Sequence, residues 1–219
     1  VPQVLSHCHI TDESSDITAG QSELDVTAQM KSLQDALNRR GESADVVRDG
    51  AGKIKVHYRV SRNPLVSIII PTKDRWDMLR QCIKSVESVT RYPSYEIVVV
   101  DNGSRTAKAK EYLSTLSKKW IIHRFPGPFN FSEINNYGAS KANGEFLLFL
   151  NDDTQVIAPE WMSAMVAQAQ RTGVGAVGAK LLYPSGMIQH AGVVLGIRGV
   201  AGHAFRHLRG DTQHYRGLP

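Results

Sequence analysis

Three adjacent polar residues, Asn151, Asp152 and Asp153, directly follow an apolar run and have the chemistry of a metal or phosphate site. The run, residues 146–150 (FLLFL), is short and unbroken, a pattern that predicts a strand buried on both faces. Adjacent carboxylates are costly to bury without partners, so they are expected where the strand leaves the sheet, the end at which open α/β sheets bind ligands. Their oxygens suit Mg²⁺ or Mn²⁺, ions that connect proteins to phosphates. The alternative interpretation is a solvated turn that caps the next helix.

Polar residues also follow two other predicted strands. Residues 71–75 (PTKDR) come after the apolar run 66–70, and residues 101–104 (DNGS) come after the run 95–100. Because parallel strands present their carboxyl ends at one edge of a sheet, we expect these segments to line one cleft. An Asp there can accept hydrogen bonds from a nucleobase or a ribose, and a metal on Asp153 can neutralise a diphosphate. This set of groups favours a nucleoside diphosphate site over a solvated turn.

The elements that position these groups are strands alternating with helices. This order predicts an α/β fold with a mainly parallel sheet and helices on both faces. Ser132 is predicted to cap the helix before the FLLFL strand, and Pro159 to lie in the first turn of the helix after it. The other predicted elements, in chain order, are a helix with Trp76, Leu79, Ile83 and Val86 on its buried stripe, a helix at 108–116, and strands at 120–125, 174–182 and 187–195.

The start of the chain is predicted to be a separate appendage, residues 1–63, before a second domain, residues 64–219. Its first 20 residues are expected to be loosely ordered. Apolar residues then recur at helical spacing over residues 26–37, and Gly41 is a natural stop for that helix. A glycine-rich turn and strict alternation over residues 54–60 predict a hairpin with one wet face.

Charge and composition restrict the function classes. The net charge of +5 and the isoelectric point near 9.2 are compatible with anionic ligands, nucleic acid or an anionic membrane face. The basic residues are not massed in one run, so an ordinary solvated surface is favoured and no nucleic-acid partner is predicted. No apolar run is long enough to span a membrane. Cys8 and Cys82 lie far apart and suggest no disulfide framework or zinc site, which fits a reducing cytoplasm.

Three further motifs occur in the wrong context. Residues 173–178 (GVGAVG) match GxGxxG, but the dinucleotide fingerprint needs a strand before it and a helix after it, the reverse of the order here. His203 and His207 stand four residues apart and could share a metal, yet spacing fixes no third ligand, so a polar loop is favoured. The tripeptide at 209–211 (RGD) has meaning only in an exposed extracellular loop.

The motifs VSIIIPTKDR, YEIVVVDNGS, FNFSEINNYGASKANGE and FLLFLNDDT together resemble family-two glycosyltransferases of the GT-A fold. The later segment GVGAVGAKLLYPSGMIQHAGVVLG is similar to the bacterial rhamnosyl- or O-antigen-type subgroup, and the resemblance covers about residues 64–210. It implies a GT-A domain, a nucleotide-diphospho-sugar transferase with a Rossmann-like sheet. The first residues also resemble the linker of tandem transferases in this group.

The resemblance, added to the strand-end argument, assigns roles to individual residues. Asp153 is the expected ligand of Mn²⁺ or Mg²⁺, in a DXD-like motif whose first position is Asn151. The family's Asn-x-Gly motif corresponds to Asn136 and Gly138. Three residues further on are expected to contact the diphosphate or the donor sugar: His190, His203 and Arg206. The residues expected to bind the nucleotide are Pro71, Thr72, Asp74, Arg75, Asp101, Asn102, Asn136 and Asp152.

By the same resemblance the chain is expected to be the donor-binding half of an inverting, metal-dependent hexosyl- or rhamnosyltransferase. The donor would be a UDP- or dTDP-sugar, and the acceptor a glycan or lipid-linked glycan of a bacterial surface polysaccharide. The location would be the cytoplasm, or the inner face of the membrane by peripheral association. No catalytic base is assigned within the chain; it is expected further along a larger protein, so the chain alone would be weakly active or inactive. The alternative is a non-catalytic nucleotide-sugar-binding module.

The basic, glycine-rich tail at residues 196–217 has two interpretations. One is a mobile, solvated loop, and the other is a lid whose cations close over the diphosphate.

Overall fold

The computed structural model describes residues 23–50, 52–196 and 200–210 of the 219-residue chain. The predicted lead-in at residues 1–20 and much of the proposed lid lie outside them. The chain divides into two compact units, Val1–Arg59 and Val60–Pro219. Within the described ranges no helix combines the length and the apolar character needed to cross a bilayer.

The described part of the first unit contains one helix and one hairpin, as its pattern predicts. Helix α1 (Glu23–Arg39) buries Val26, and Gly41 follows it with the left-handed φ of 67° that favours glycine at a helix stop. Strands β1 (Ala44–Arg48) and β2 (Ile54–Tyr58) pair antiparallel. Half-buried and exposed side chains alternate along β2, so the hairpin has the expected wet face.

The second unit is built on a parallel sheet of four strands, which are β3 (Val66–Thr72), β4 (Tyr95–Asp101), β5 (Ile121–Arg124) and β6 (Phe146–Phe149). They lie in the order β5-β4-β3-β6, and each neighbouring pair is parallel. The predicted parallel α/β sheet is therefore confirmed. All four strands point their carboxyl ends to the same edge.

Helices cover both faces of this sheet. They are α2 (Trp76–Val89), α3 (Ala107–Leu116), α4 (Phe131–Ala139) and α5 (Trp161–Ala169). Side chains of α2, α3 and α5 join the core around Ile68 and Val99 on one face, and α4 packs on Ile69 and Val98 on the other. The predicted stripe of α2 is confirmed at Leu79, Ile83 and Val86, which are buried.

Two helix starts differ from the prediction. Asn130, not Ser132, caps α4: its backbone is extended and its side chain accepts a hydrogen bond from the Glu133 N–H at 3.2 Å. Ser132 lies inside the first turn, where its hydroxyl cannot take that role. Pro159 precedes α5 rather than lying in its first turn, and Glu160 occupies the cap position.

The close approach of α4 to the sheet explains why residue 138 is a glycine. A Cβ at this position of α4 would lie 2.5 Å from Ile69 Cγ2 and 2.8 Å from Val100 Cγ2. The helix therefore rests on the sheet at a distance that only glycine permits, and the glycine of the Asn-x-Gly motif has a packing role.

The proline in β3 ends the pairing with β6. Leu150 N–H donates to the Ile69 carbonyl, so odd-numbered backbone groups of β3 face β6, and Pro71 has no N–H to continue that ladder. The last β3–β6 pair is Ile69 with Phe149, whereas pairing with β4 continues to Thr72 and Asp101. The chain after β6 is thus free to leave the sheet at Asn151.

Strand β6 is not buried on both faces, contrary to the prediction from its apolar run. Among the described residues it is one of the two edge strands of the sheet. Leu148 is 8% exposed, but Leu147 and Phe149, on the opposite face, are 45% and 53% exposed. α4 covers Ile69 on that face and leaves the β6 column open.

The predicted strands after α5 are shorter than expected. Residues 174–180 form no strand, and the observed strands are β7 (Leu181–Leu182), β8 (Ile188–His190), β9 (Val193–Leu195) and β10 (Ala201–His203). β7 pairs with β8, and β9 with β10, both antiparallel. Gly192, at a φ of 116°, separates β8 from β9, which were expected to be one strand.

Candidate active site

The carboxyl edge of the sheet brings together the first group of predicted residues. Thr72 Oγ1 donates a hydrogen bond to Asp152 Oδ2 at 2.8 Å, which joins the end of β3 to the segment after β6. The Arg75 guanidinium lies 3.3 Å from Asp152 Oδ1 and 3.3 Å from Asp153 Oδ2. The guanidinium of Arg75 therefore contacts both carboxylates. Asp152 is buried by this arrangement, while the Asp153 side chain stays 50% exposed.

Asp74 ties two loops of this edge together. Its backbone has a φ of 56°, a left-handed conformation that Asp tolerates better than most residues. Its Oδ1 accepts hydrogen bonds from the N–H groups of Arg105 (2.7 Å) and Thr106 (2.9 Å) at the start of α3. Its own N–H donates to Ser104 Oγ at 2.9 Å. The predicted nucleotide residue thus also has a structural role in this edge.

The residues that follow β4 form a tight turn held by hydrogen bonds to the strand end. Asp101 is buried, and its Oδ1 accepts a hydrogen bond from the Ser104 N–H at 2.8 Å. Asn102 donates from Nδ2 to the Gly127 carbonyl at 3.0 Å, whereas its buried Oδ1 has no hydrogen-bond partner among the described residues. This acceptor is therefore an unsatisfied buried polar atom at the carboxyl edge.

Sequence reasoning missed the importance of Ser104. It is 2% exposed, accepts from Asp74 and donates its N–H to Asp101, so it connects two predicted site residues. The signal was present in the sequence, because Asp-Asn-Gly-Ser is a turn in which the Asp side chain caps a backbone N–H two or three residues later.

Asn136 of α4 is exposed, and its neighbour Asn135 is buried. Asn135 Nδ2 donates to the Phe131 carbonyl at 2.8 Å, and its Oδ1 has no partner among the described residues. Pro71, the remaining predicted residue of this group, lies within β3 and presents only its ring and carbonyl.

The predicted diphosphate contacts form a second, separate group. His190 Nδ1 and His203 Nδ1 are 2.9 Å apart, so one ring donates to the other. Arg206 donates two hydrogen bonds to the Tyr183 hydroxyl, at 3.0 and 2.8 Å. Across the described ranges, no hydrogen bond or ion pair connects this group to Asp152 or Asp153.

His207 does not share a site with His203. Its ring stacks on Tyr183 with centroids 5.5 Å apart, and its φ of 67° places it in a turn. This placement favours the polar-loop interpretation of the two histidines.

Burial and hydrogen bonding shift the pKa values of two carboxyl groups at this edge in opposite directions. Burial raises the pKa of Asp152, although Thr72 and Arg75 oppose the change. Backbone hydrogen bonds from Thr106 and Arg105 lower the pKa of Asp74. Beneath the edge, burial and the charges of Asp152 and Asp153 raise the pKa of the Cys82 thiol to about 12.

The residues present fit a divalent cation only together with a phosphate ligand. Nowhere in the described part of the chain do three His, Cys, Asp or Glu side chains gather at one point. Asp152 is occupied by Thr72 and Arg75, which leaves the half-exposed Asp153 as the available carboxylate. Mg²⁺ is commonly held by one or two carboxylates plus substrate phosphates, so this donor set suffices.

Comparison with known proteins identifies a matching family and two similar proteins. The family model described as Glycosyl transferase family 2 matches residues 67–215. The O-antigen biosynthesis protein RfbC of Myxococcus xanthus is 45% identical over 186 residues, which cover 83% of this chain and 14% of RfbC. The protein y4gI of Sinorhizobium fredii is 45% identical over 192 residues, covering 84% of this chain and 21% of y4gI.

Among solved structures, the mannosyltransferase PcManGT of Pyrobaculum calidifontis, in complex with GDP-Man and Mn²⁺, is 18% identical with a TM-score of 0.49. The match covers 74% of this chain and 47% of PcManGT. The chain thus spans 14% and 21% of the lengths of RfbC and y4gI.

Proposed function

From its membership of glycosyl transferase family 2, we propose that this chain is the donor-binding domain of a metal-dependent, inverting glycosyltransferase. The family and the parallel sheet with helices on both faces confirm the predicted GT-A fold class. The donor is a nucleotide-diphospho-sugar, with a hexose or rhamnose on UDP or dTDP. The similarity to RfbC supports a glycan or lipid-linked glycan acceptor in bacterial surface polysaccharide synthesis.

The cluster of Thr72, Asp152, Arg75 and Asp153 is the observation on which the proposal rests. A half-exposed carboxylate beside a buried one, both contacted by one guanidinium, is suited to a diphosphate and its counter-ion. Asp153 would hold Mn²⁺ or Mg²⁺, which when bound offsets the negative charge of the departing diphosphate. Arg75, released from Asp153, would then donate to phosphate oxygens.

The other strand ends would orient the nucleoside. The Oδ1 of Asn102 is buried without a partner among the described residues, and we propose that a base N–H or a ribose hydroxyl reaches it when the Asn102 side chain turns outward on binding. Asp101 and Asp74 hold the turn that carries Asn102 in place through their hydrogen bonds with Ser104. Asn136, exposed on α4, would contact the nucleotide from the opposite side of the cleft.

In the proposed reaction an acceptor hydroxyl attacks the anomeric carbon as the carbon–oxygen bond to the diphosphate breaks. The nucleoside diphosphate leaves with the bonding electron pair, and a general base takes the hydroxyl proton. We assign no described residue as that base and propose that it comes from further polypeptide of the larger protein. The chain alone would therefore bind donor and transfer sugar slowly, since base assistance is worth about 10²–10⁴-fold in rate.

The experiment is calorimetric titration of the chain with a panel of UDP-, dTDP- and GDP-sugars, with and without Mn²⁺. At least one donor should bind more tightly with Mn²⁺. Asp153→Asn keeps the side-chain size and removes the charge, so it should abolish the Mn²⁺ effect, a loss of at least about tenfold in affinity, or about 1.4 kcal/mol.

The matched control is Asp35→Asn, which removes an exposed carboxylate from α1, outside the candidate site. It should leave donor affinity unchanged. Asp153→Asn protein that retains the full Mn²⁺-dependent affinity would remove Asp153 from the site. Binding without any sugar transfer by the longer protein would favour the non-catalytic module instead.

A further inference from the structure

Arg75 is shared loosely between the two carboxylates that follow β6. Its Nη1 lies 3.3 Å from Asp152 Oδ1, and its Nη2 lies 3.3 Å from Asp153 Oδ2. Charge-assisted hydrogen bonds between a guanidinium and a carboxylate are usually shorter, at about 2.7–2.9 Å. The Arg75 side chain is also 46% exposed. Because long ion-pair contacts at a protein surface are weak, a competing anion can draw the guanidinium away.

The two carboxylates differ in their other contacts. Asp152 is buried and accepts a second hydrogen bond, from Thr72 Oγ1 at 2.8 Å. The Asp153 side chain is 50% exposed, and within the described ranges Arg75 is the cation that pairs with it. The charge of Asp153 is therefore balanced by a cation of the chain itself, at the carboxylate that is available to a metal.

A divalent ion bound to Asp153 would lie close to this guanidinium. A doubly charged and a singly charged cation about 4–5 Å apart repel each other strongly enough to lower an affinity about tenfold or more, even in a highly polar medium. Arg75 therefore opposes metal binding for as long as it stays beside Asp153. The repulsion falls when the guanidinium moves to another anion.

We propose that Arg75 is an internal counter-ion that keeps Asp153 from binding a divalent metal until a diphosphate is present. A diphosphate offers oxygens to both terminal nitrogens of a guanidinium, which makes it a better acceptor than two separate carboxylates at 3.3 Å. Arg75 would leave Asp153 for the diphosphate, and the freed carboxylate would bind Mn²⁺ or Mg²⁺. The metal and the diphosphate would therefore raise each other's affinity by the same factor.

Arg75 would thus set the order in which the two ligands bind. Its move to a diphosphate rests on the proposed function, whereas its competition with a metal involves residues of this chain alone. Arg75 occupies the cap position before α2, yet its side chain makes no capping hydrogen bond. A neutral residue at this position should therefore leave the helix intact.

Mn²⁺ titration, followed by the electron paramagnetic resonance signal of free Mn²⁺, tests the competition without any nucleotide. Arg75→Gln should bind Mn²⁺ at least about tenfold more tightly than the wild type, and Arg75→Met, a second neutral variant, should match it. Arg75→Lys keeps the charge, so its affinity should stay closer to that of the wild type. The matched control is Arg80→Gln, which removes an exposed cation from the same helix and should change the affinity by less than about twofold.

Two further measurements locate the ion and test the diphosphate step. Asp153→Asn in the Arg75→Gln background should remove the gained affinity. UDP should raise the Mn²⁺ affinity of the wild type by a larger factor than that of Arg75→Gln, after correction for Mn²⁺ bound by UDP without protein.

Three results overturn the proposal. The first is an Arg75→Gln protein that binds Mn²⁺ no more tightly than the wild type, which includes no detectable binding by either. The second is a gain that survives Asp153→Asn, and the third is a UDP effect of equal size in the two proteins. A tighter Mn²⁺ complex of Arg75→Gln without binding of any nucleotide-sugar would support the competition and contradict the proposed function, so the two failures are distinguishable.

Discussion

The end of β4 and the edge of β6 belong to the same sheet but differ in their surroundings. The polar groups at the end of β4 have hydrogen-bond partners nearby, whereas apolar side chains of β6 are exposed. At β4, loops only a few residues long supply partners: Asp74, Asp101 and Ser104 bond one another within the β3 and β4 loops. At β6, Leu147 and Phe149 are apolar, exposed and outermost. Polar groups at strand ends can be satisfied by local turns, whereas an apolar strand face is covered only when another element packs against it. Most polar groups at the end of β4 are therefore paired locally, whereas the described residues leave one face of β6 uncovered.

The two leucines of β6 give the largest expected difference. Leu148→Ala should lower the free energy of unfolding by about 2–5 kcal/mol, because the side chain is buried in the core beside α5. Leu147→Ala, its neighbour in the same strand, should cost about 1 kcal/mol or less, since roughly half of its apolar surface is already in water. Urea unfolding followed by tryptophan fluorescence measures both, because Trp76, Trp120 and Trp161 all lie in the second unit.

Equal losses for the two leucines would contradict the exposed face of β6.

The serine that connects Asp74 and Asp101 gives a smaller effect. Ser104→Ala removes the acceptor of the Asp74 N–H, so the free energy of unfolding should fall by about 1–3 kcal/mol. Ser114→Ala, at an exposed position of α3, is the control and should change stability by less than about 0.5 kcal/mol. If Ser104→Ala behaves like Ser114→Ala in urea unfolding, the cross-link between the two loops does not stabilise the fold.

The smallest expected effect is a contrast in pH dependence between two carboxyl groups. Asp152 has its pKa raised above the ordinary 3.8, so the folded protein holds that proton more tightly than the unfolded one. Relative to Asp152→Asn, the wild type should lose stability as the pH rises from below 3.8 through the raised pKa. Asp74 has its pKa lowered, so relative to Asp74→Asn the wild type should lose stability as the pH falls from 3.8 through the lowered pKa.

Urea unfolding of the wild type and the two variants between about pH 2.5 and pH 6 gives both slopes. Slopes of the same sign would contradict either the burial of Asp152 or the hydrogen bonds to Asp74.

Local sequence pattern was sufficient for most of the fold. The buried strands β3 and β4 and the stripe of α2 follow from hydrophobic spacing, because each has its neighbours within this chain. The pattern also placed Thr72, Arg75, Asp152 and Asp153 at one edge, since parallel strands end together. Contacts that join separate loops, such as Asp74 with the start of α3, depend on backbone geometry that spacing does not specify.

The sequence also predicted more strand than the structure contains. An apolar run indicates the environment to which a segment is suited, so FLLFL and residues 174–182 predicted buried strands. Among the described residues, however, β6 pairs on one side only, with β3, and residues 174–180 form no strand. The assignment of His190, His203 and Arg206 to the diphosphate stays a prediction, because their contacts join them to one another and to Tyr183.

Cys82 lies beneath the acidic pair, with its thiol donating to the Asn151 carbonyl at 3.6 Å. A thiol that is buried and has a pKa of about 12 is inert to alkylating reagents at neutral pH while the edge stays closed. In a Cys8→Ser chain Cys82 is the sole thiol. The rate of its alkylation therefore measures how often the structure around Cys82, beneath Asp152 and Asp153, opens to solvent. Cys82 is therefore a built-in kinetic probe of how often the carboxyl edge of the sheet opens, and ligands that hold this edge closed should slow the labelling in proportion to their occupancy.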